Sequence, residues 1–244
     1  MTNEAYYYEN EKYSDYLDNQ DSNIFNKIVN IVRQYTQRED SILDVGCGSG
    51  KLLSLISDRE NKFGIDISNN SIQRCLDKKL DCLIYNGKKI PFGDGSFDLV
   101  LSFNVLEHVD DPNYFLLEQL RVLKSKGYLM IICPNFLSIT NNFHWHTSGL
   151  VQKIYNLKNF AQKFFHGKFS FEKMKVIDRD DFHPDDDACN ITNPLDLLRW
   201  AKEHKLTLKY WSSQPTYTTN KIISILDKTW AKIFLGANFF IFKK

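Results

Sequence analysis

The chain has 244 residues, of which 43% are hydrophobic and 25% are charged, a balance typical of a folded globular protein. Its 31 basic residues are matched by 30 acidic ones, and the resulting net charge of +1 argues against nucleic acid as a partner. The most apolar run, residues 233–242, is about half as long as a membrane-spanning helix, and the N-terminus lacks a signal-peptide pattern. Neither membrane insertion nor secretion is therefore predicted.

The cysteines are five in number and show no C-x-x-C spacing, which argues against a disulfide framework and against a zinc site. The sequence therefore predicts a reduced, cytoplasmic protein without a bound metal. The cysteines are Cys47, Cys75, Cys82, Cys133 and Cys189.

Frequent Asn and Lys residues are typical of an AT-rich bacterial genome.

The first 20 residues are rich in tyrosine and poor in aliphatic residues, so they cannot form a core of their own. Their rings either pack on other elements or stay mobile. A helix is predicted next, with Asp21 or Ser22 as its cap and a single apolar stripe that packs across a sheet. The stripe consists of Ile24, Phe25, Ile28, Val29, Ile31 and Val32.

Residues 41–50 predict a buried strand, a glycine-rich turn and the start of a helix. Gly46, Gly48 and Gly50 allow a ligand to come closer to the backbone than a Cβ would permit. Their G-x-G-x-G spacing differs from the G-x-G-x-x-G of dinucleotide-binding turns, which disfavours an NAD-dependent oxidoreductase. Asp44, at the end of the strand, would repel a pyrophosphate and attract an ammonium group. The turn is therefore predicted to bind a ligand with a positively charged amino group.

Residues 62–66 predict a second strand, which ends in the carboxylate of Asp66. This residue follows Asp44 at about the 20-residue offset at which an acidic side chain meets ribose hydroxyls in nucleotide-binding folds. Two vicinal hydroxyls can donate to one carboxylate. Ser68 is predicted to cap the next helix, and residues 81–85 to form a third strand.

Residues 94–103 predict a turn and a further buried strand, and Glu107 and His108 follow it. They would lie at the C-terminal edge of the sheet, where α/β folds gather their ligands. His108 is a candidate general base, because an imidazole can be neutral at about pH 7. The alternative is that both residues shape the loop and hydrogen-bond its backbone.

The rest of the chain continues the alternation of helices and strands, which predicts a doubly wound parallel sheet. Helices are predicted to start at Asp111 and Pro112, at Asn193 and Pro194, and over residues 219–234. Strands are predicted over residues 127–135, 206–211 and 236–242.

Two motifs carry a resemblance to a known family. Residues 42–50 fit [ILV]-x-D-x-G-x-G-x-G, and residues 96–109 fit S-F-D-x-[VI]-x-[SC]-x-x-[VA]-L-E-H-[VI]. These patterns resemble motifs I and IV of the class I S-adenosylmethionine-dependent methyltransferases, in the methyltransferase type 11-like branch. The likeness is strong over residues 41–135 and loose over 193–244.

The resemblance implies a mostly parallel, seven-stranded Rossmann-like sheet with an antiparallel last strand and a helical cap insertion. It divides the chain into an N-terminal lid (1–20), a cofactor-binding core (21–135), a cap over the acceptor (136–192) and the C-terminal part of the core sheet (193–244). The implied cofactor is S-adenosylmethionine, with S-adenosylhomocysteine as its product.

The resemblance also implies which residues contact the cofactor. Asn86 stands where the family usually has an aspartate that reads the adenine amino group, so that contact would be made without charge. Phe103 and Asn104 would lie along the methionyl part, and a lid tyrosine near it. The implied cofactor-binding residues are Tyr13, Asp44, Gly46, Cys47, Gly48, Gly50, Asp66, Ile67, Asn86, Gly87, Phe103 and Asn104.

The predicted cap holds His144 and His146 on one face of a strand, so these join His108 as candidate catalytic residues. The other interpretations are that the cap histidines contact the acceptor, or lie on the surface, or bind a divalent metal with nearby carboxylates. The absence of a recognisable ligand spacing disfavours the metal.

The resulting prediction is a methyltransferase that uses a small-molecule acceptor. A polar cap and a neutral surface favour O-methylation of a sugar or nucleotide-linked sugar in surface-polysaccharide synthesis. Methylation of a quinone or another small molecule, or cofactor binding without catalysis, remain alternatives. The sequence does not predict an oligomeric state.

Overall fold

The computed structural model describes residues 8–56, 61–138, 154–155, 157–159, 161–162, 171–176, 186–213 and 225–244. His144 and His146, like most of the predicted cap, lie outside these residues.

A seven-stranded sheet forms the centre of the described structure, in the order β3-β2-β1-β4-β5-β9-β8. Strand β9 is antiparallel to both of its neighbours, and the other adjacent pairs are parallel. The prediction of a mostly parallel, doubly wound sheet with an antiparallel last strand is confirmed. The strands are β1 (Ile42–Val45), β2 (Lys62–Asp66), β3 (Asp81–Ile84), β4 (Phe97–Phe103), β5 (Leu123–Cys133), β8 (Thr207–Ser212) and β9 (Asn238–Lys243), and the short strands β6 (Glu172–Lys173) and β7 (Asn190–Ile191) form a separate antiparallel pair.

The helices begin at the polar caps that the sequence indicates. The side chains of Asp21, Ser68, Asp111 and Asn193 each accept a hydrogen bond from a backbone N–H in the first turn that follows. Such a cap contributes about 1 kcal/mol to helix stability. The helices are α1 (Glu11–Asp18), α2 (Ser22–Tyr35), α3 (Lys51–Leu55), α4 (Asn69–Asp77), α5 (Pro112–Val122) and α6 (Pro194–Glu203).

Apolar side chains alternate between the two faces of the sheet and form a cluster on each side. Helix α2 covers one face, where Ile28 and Val32 are fully buried. Helices α5 and α6 cover the other face, where Leu116 and Trp200 are fully buried. The parallel strands are apolar on both faces because helices cover both.

Three local features differ from the sequence prediction. Strand β5 begins at Leu123, not at residue 127, with a register shift opposite the start of β4. The segment Trp230–Phe234 is a 3-10 helix, and the first part of the predicted helix over 219–234 lies outside the described residues. The β6–β7 pair was not predicted.

Within the described part of the chain, no helix is both long and apolar enough to cross a membrane.

Candidate functional site

A cavity of about 710 Å³ opens at the C-terminal ends of β1, β2 and β4. This is the edge at which open parallel sheets bind their ligands, because the loops that follow the strands diverge there. Twelve of the residues predicted from sequence line this cavity together. They are Tyr13, Asp44, Gly46, Cys47, Gly48, Asp66, Ile67, Asn86, Gly87, Phe103, Asn104 and His108.

The glycine turn leaves β1 at Gly46, whose φ of +78° is unfavourable for residues with a side chain. A Cβ at this position would overlap the side chain of Val105, so the turn and the loop after β4 pack directly against each other. The side chains next to Gly50 are different from those next to Gly46. It is the N-cap of α3 with φ of +76°, and a Cβ there would lie 2.9 Å from the sulfur of Cys75, behind the turn.

Two buried carboxylates lie at the C-terminal ends of the neighbouring strands, Asp44 as the penultimate residue of β1 and Asp66 as the last residue of β2, and they are only 3% and 8% exposed. Burial raises the pKa of Asp44 well above its usual range, and Cys82 and Asp66 add to the effect. Burial also raises the pKa of Asp66, although its carboxylate accepts hydrogen bonds from the N–H groups of Gly48 (2.8 Å) and Ser68 (3.0 Å), which act in the opposite direction. Both anions are costly in the unliganded site, so a cation or hydroxyl donors in the cavity would stabilise them.

Helix α1 forms one wall of the cavity and is held there by Asp18. The carboxylate of Asp18 accepts hydrogen bonds from Ser49 Oγ at 2.6 Å, Arg74 Nη1 at 2.7 Å and Lys78 Nζ at 2.9 Å. Burial raises the pKa of Asp18, but these three donors outweigh burial and lower it to about 2. The helix therefore stays fastened to the glycine turn and to α4 throughout the neutral pH range.

On the other side of the cavity, His108 lies between two carboxylates. Its Nδ1 is 3.0 Å from Asp187 Oδ2, and its Nε2 is 3.6 Å from Glu107 Oε1. The hydroxyl of Tyr8 donates to the same Asp187 oxygen. Burial raises the pKa of Asp187, but His108 and Tyr8 lower it further than burial raises it, and the net pKa is below the usual value. The geometry is that of an imidazole oriented and charge-stabilised by an acidic partner.

Asp187 was not among the predicted site residues, although it falls within the predicted cap over the acceptor (136–192). The segment is attached to the loop after β4 by Asn190. The backbone N–H of Asn190 donates to the carbonyl of Glu107 at 3.0 Å, and its side-chain amide donates to that of Val109 at 2.6 Å. Further lining residues that were not predicted to be site residues include Tyr8, Tyr16, Leu17, Lys51, Tyr85, Asp110, Asp111 and Tyr114.

Comparison with known proteins identifies the family of the core. Residues 43–131 match the family model described as a methyltransferase domain. A probable S-adenosylmethionine-dependent methyltransferase of Mycolicibacterium smegmatis is 30% identical over 102 residues, which cover 41% of this chain and 40% of the relative. The chain contains a class I S-adenosylmethionine-dependent methyltransferase domain.

Two further matches extend beyond this methyltransferase domain. The uncharacterized protein MJ0638 of Methanocaldococcus jannaschii is 35% identical over 144 residues, covering 57% of this chain and 61% of the relative. A putative methyltransferase of Haloferax volcanii, solved in complex with the Trm112 activator, shares the fold with a TM-score of 0.62 at 15% identity, covering 98% of this chain and 96% of that one. The chain thus aligns with less than two thirds of the length of the MJ0638 and Mycolicibacterium relatives.

Proposed function

We propose that the chain transfers a methyl group from S-adenosylmethionine to a small polar acceptor. The observation that carries this proposal is the pair of buried carboxylates, Asp44 and Asp66, on adjacent strand ends beside the glycine turn. Their chemistry fits the cofactor, because an α-ammonium and two ribose hydroxyls are the partners that two such anions lack. The turn also fits, since Gly46, Cys47 and Gly48 line the cavity beside the two carboxylates.

In this proposal each side of the cavity binds one part of the cofactor. Asp44 would hold the ammonium group, and Asp66 the ribose hydroxyls, while the N–H groups of Gly48 and Ser68 hold its carboxylate in place. Of the other residues that line the cavity, Ile67, Asn86 and Gly87 would hold the adenine, and Tyr13, Cys47, Phe103 and Asn104 the methionyl part. Residues 8–20 act as the lid, because α1 closes the cavity over the turn.

The bound cofactor supplies a methyl group on a positively charged sulfur, which leaves as a neutral thioether. The contribution of the chain is to align the acceptor with that methyl, which can be worth about 7–11 kcal/mol, and to remove the acceptor proton. We assign proton removal to His108. Asp187 and Glu107 stabilise the imidazolium that forms, and Asp187 orients the ring through Nδ1.

The acceptor end of the cavity is polar and acidic, with Asp110, Asp111 and Asp187 beside His108 and Tyr8. Carboxylates and a phenol bind the hydroxyls of a sugar well, which supports O-methylation of a sugar or nucleotide-linked sugar, as in surface-polysaccharide synthesis. A second acceptor class, quinols and related phenols, is supported by aromatic rings on the cavity wall. These rings belong to Phe103, Tyr114 and Phe115.

Incubation of the protein with methyl-labelled cofactor and a panel of free sugars, nucleotide-linked sugars and quinols tests this proposal. We expect label in a sugar product. Label in a quinol alone would reverse the order of the two acceptor classes. Tight binding of S-adenosylhomocysteine without label in any product would instead support a cofactor-binding protein without catalysis.

Replacement of the proposed base should reduce the rate without loss of the cofactor. His108→Gln is expected to lower kcat by about 100-fold to 10,000-fold, because general-base catalysis contributes that much. Asp187→Asn is expected to lower kcat at least about 10-fold, since the ring loses its anionic partner. The dissociation constant of S-adenosylhomocysteine should stay within about 3-fold in both. His204→Gln, at the C-cap of α6 and outside the residues that line the cavity, is the control. Full turnover by His108→Gln would remove His108 from the base role.

Cofactor binding should depend on pH through Asp44. Because burial raises its pKa, this carboxyl holds a proton in the unliganded site up to a higher pH than usual. An ammonium ligand favours the ionised form, so binding releases that proton. Affinity for S-adenosylhomocysteine is expected to rise as pH increases above about 4, the ordinary aspartate value, and to level off once Asp44 is ionised without ligand.

Calorimetry in two buffers with different ionisation enthalpies measures this proton release directly. Asp44→Asn should bind more weakly and without proton release. Equal heats in the two buffers for the unaltered protein, across about pH 5 to 7, would contradict the proposed pairing of Asp44 with an ammonium group.

A further inference from the structure

Three cysteines from separate elements meet directly beneath the glycine turn. Cys47 lies within the turn, Cys75 on α4 and Cys82 on β3. Their sulfur atoms all lie within 4.8 Å of one another, and the residues are 8%, 0% and 4% exposed. All three are free thiols. They are widely and irregularly spaced in the sequence, so no spacing motif indicated that they would meet.

The three cysteines are buried and pack against apolar side chains. Gly64 on β2 leaves room for them, because a Cβ there would lie 2.7 Å from the sulfurs of both Cys47 and Cys82. The surrounding side chains are those of Leu53, Ile72 and Leu80. Three buried sulfur ligands that lie this close together are a suitable environment for a soft metal ion.

We propose that Cys47, Cys75 and Cys82 form a binding site for one soft, thiophilic metal ion of the Cu(I) class. Soft thiolates select such ions, whereas zinc prefers four ligands. In a trigonal site with metal–sulfur bonds of about 2.3 Å the sulfurs would be ~4.0 Å apart, so they need to contract by less than ~1 Å. Each thiol loses its proton as its sulfur binds the metal, and no oxidation or reduction takes place.

Metal binding would also change the affinity of the proposed cofactor site, and this part of the inference rests on the proposed function. The thiol of Cys75 donates to the carbonyl of Gly48 at 3.2 Å, and Cys47 is the residue between Gly46 and Gly48. Deprotonation of Cys75 removes the hydrogen bond, and contraction of the cluster pulls on the turn. Metal occupancy is therefore expected to weaken cofactor binding.

Titration of the full chain with Cu(I) under anaerobic conditions, against a chromogenic Cu(I) chelator, tests the site. The protein should take up one ion per chain and develop a thiolate-to-metal absorption band in the ultraviolet. Cys75→Ser and Cys82→Ser should each lower the affinity at least 100-fold. Cys133→Ser, at a buried cysteine on β5 outside the cluster, should retain full affinity. Equal affinity of Cys75→Ser and Cys133→Ser would overturn the proposal.

X-ray absorption at the copper edge of the unaltered protein gives an answer that does not depend on how well the variants fold. Three sulfur ligands are expected, and two sulfurs or nitrogen and oxygen ligands would overturn the proposal. S-adenosylhomocysteine affinity should fall at least 10-fold in the Cu(I)-loaded protein. If the metal-free protein does not bind S-adenosylhomocysteine, the proposed function fails, whereas the metal site is still decided by the uptake and the absorption spectrum.

Discussion

Asp66→Ala is expected to weaken S-adenosylhomocysteine binding at least about 100-fold. The substitution removes an acceptor for two ribose hydroxyls and also frees the N–H groups of Gly48 and Ser68, which the carboxylate now holds. Hydrogen bonds to a charged group contribute about 1.5–3 kcal/mol each, and a 100-fold change in affinity corresponds to about 2.7 kcal/mol. Isothermal titration calorimetry measures the change.

Two further variants separate the role of this carboxylate from general damage. Asp66→Asn keeps one acceptor oxygen and should lose about 10-fold in affinity. Asp81→Ala, at an exposed position at the start of β3, should bind as the unaltered protein does. Unchanged affinity in Asp66→Ala would remove this residue from the binding site.

Gly46→Ala is expected to destabilise the fold by about 2–4 kcal/mol and to abolish cofactor binding. The left-handed φ of +78° disfavours any residue with a Cβ, and the new methyl group would overlap Val105. Backbone strain and overpacking each cost about 1–3 kcal/mol. Urea unfolding followed by fluorescence measures the loss, and calorimetry measures the binding.

A second substitution divides this loss between its two causes. In Gly46→Ala with Val105→Ala the overlap is removed and only the backbone strain remains, so the double variant should lose less than the sum of the two single losses. Gly93→Ala is the matched control, because a Cβ there would meet nothing closer than 3.6 Å and its φ is not in the left-handed region. If Gly46→Ala is as stable as Gly93→Ala, the turn is not held in the way described.

The elements that sequence analysis predicted well are those whose cause is local. A helix cap forms when a side-chain oxygen accepts a hydrogen bond from a backbone N–H two or three residues ahead, so a few neighbouring residues are enough to predict it. The caps predicted in this way are Asp21, Ser68, Asp111 and Asn193. The proximity of Asp44 and Asp66 follows from parallel pairing of two strands with similar ends, so the topology was enough to bring them together.

The features that sequence analysis missed depend on contacts between distant segments. Asp187 reaches His108 only because Asn190 attaches its segment to the loop after β4. Cys47, Cys75 and Cys82 meet because α4 packs against β2 and β3, and the spacing of the three cysteines in the sequence does not indicate that packing. Gly50 was grouped with the ligand-binding glycines by its motif, whereas its space is taken by the side chains of α4 and the segment that follows it.

Strand β9 has a consequence for synthesis of the protein. It follows the other described strands along the sequence, yet it is inserted between β5 and β8 and pairs with both. Until residues 238–243 have left the ribosome, β5 of the nascent chain presents an unpaired edge that is rich in apolar residues. The half-made sheet is then open to pairing with a neighbouring chain, so the interval between the emergence of β5 and that of β9 sets how long this sheet is at risk of misassembly.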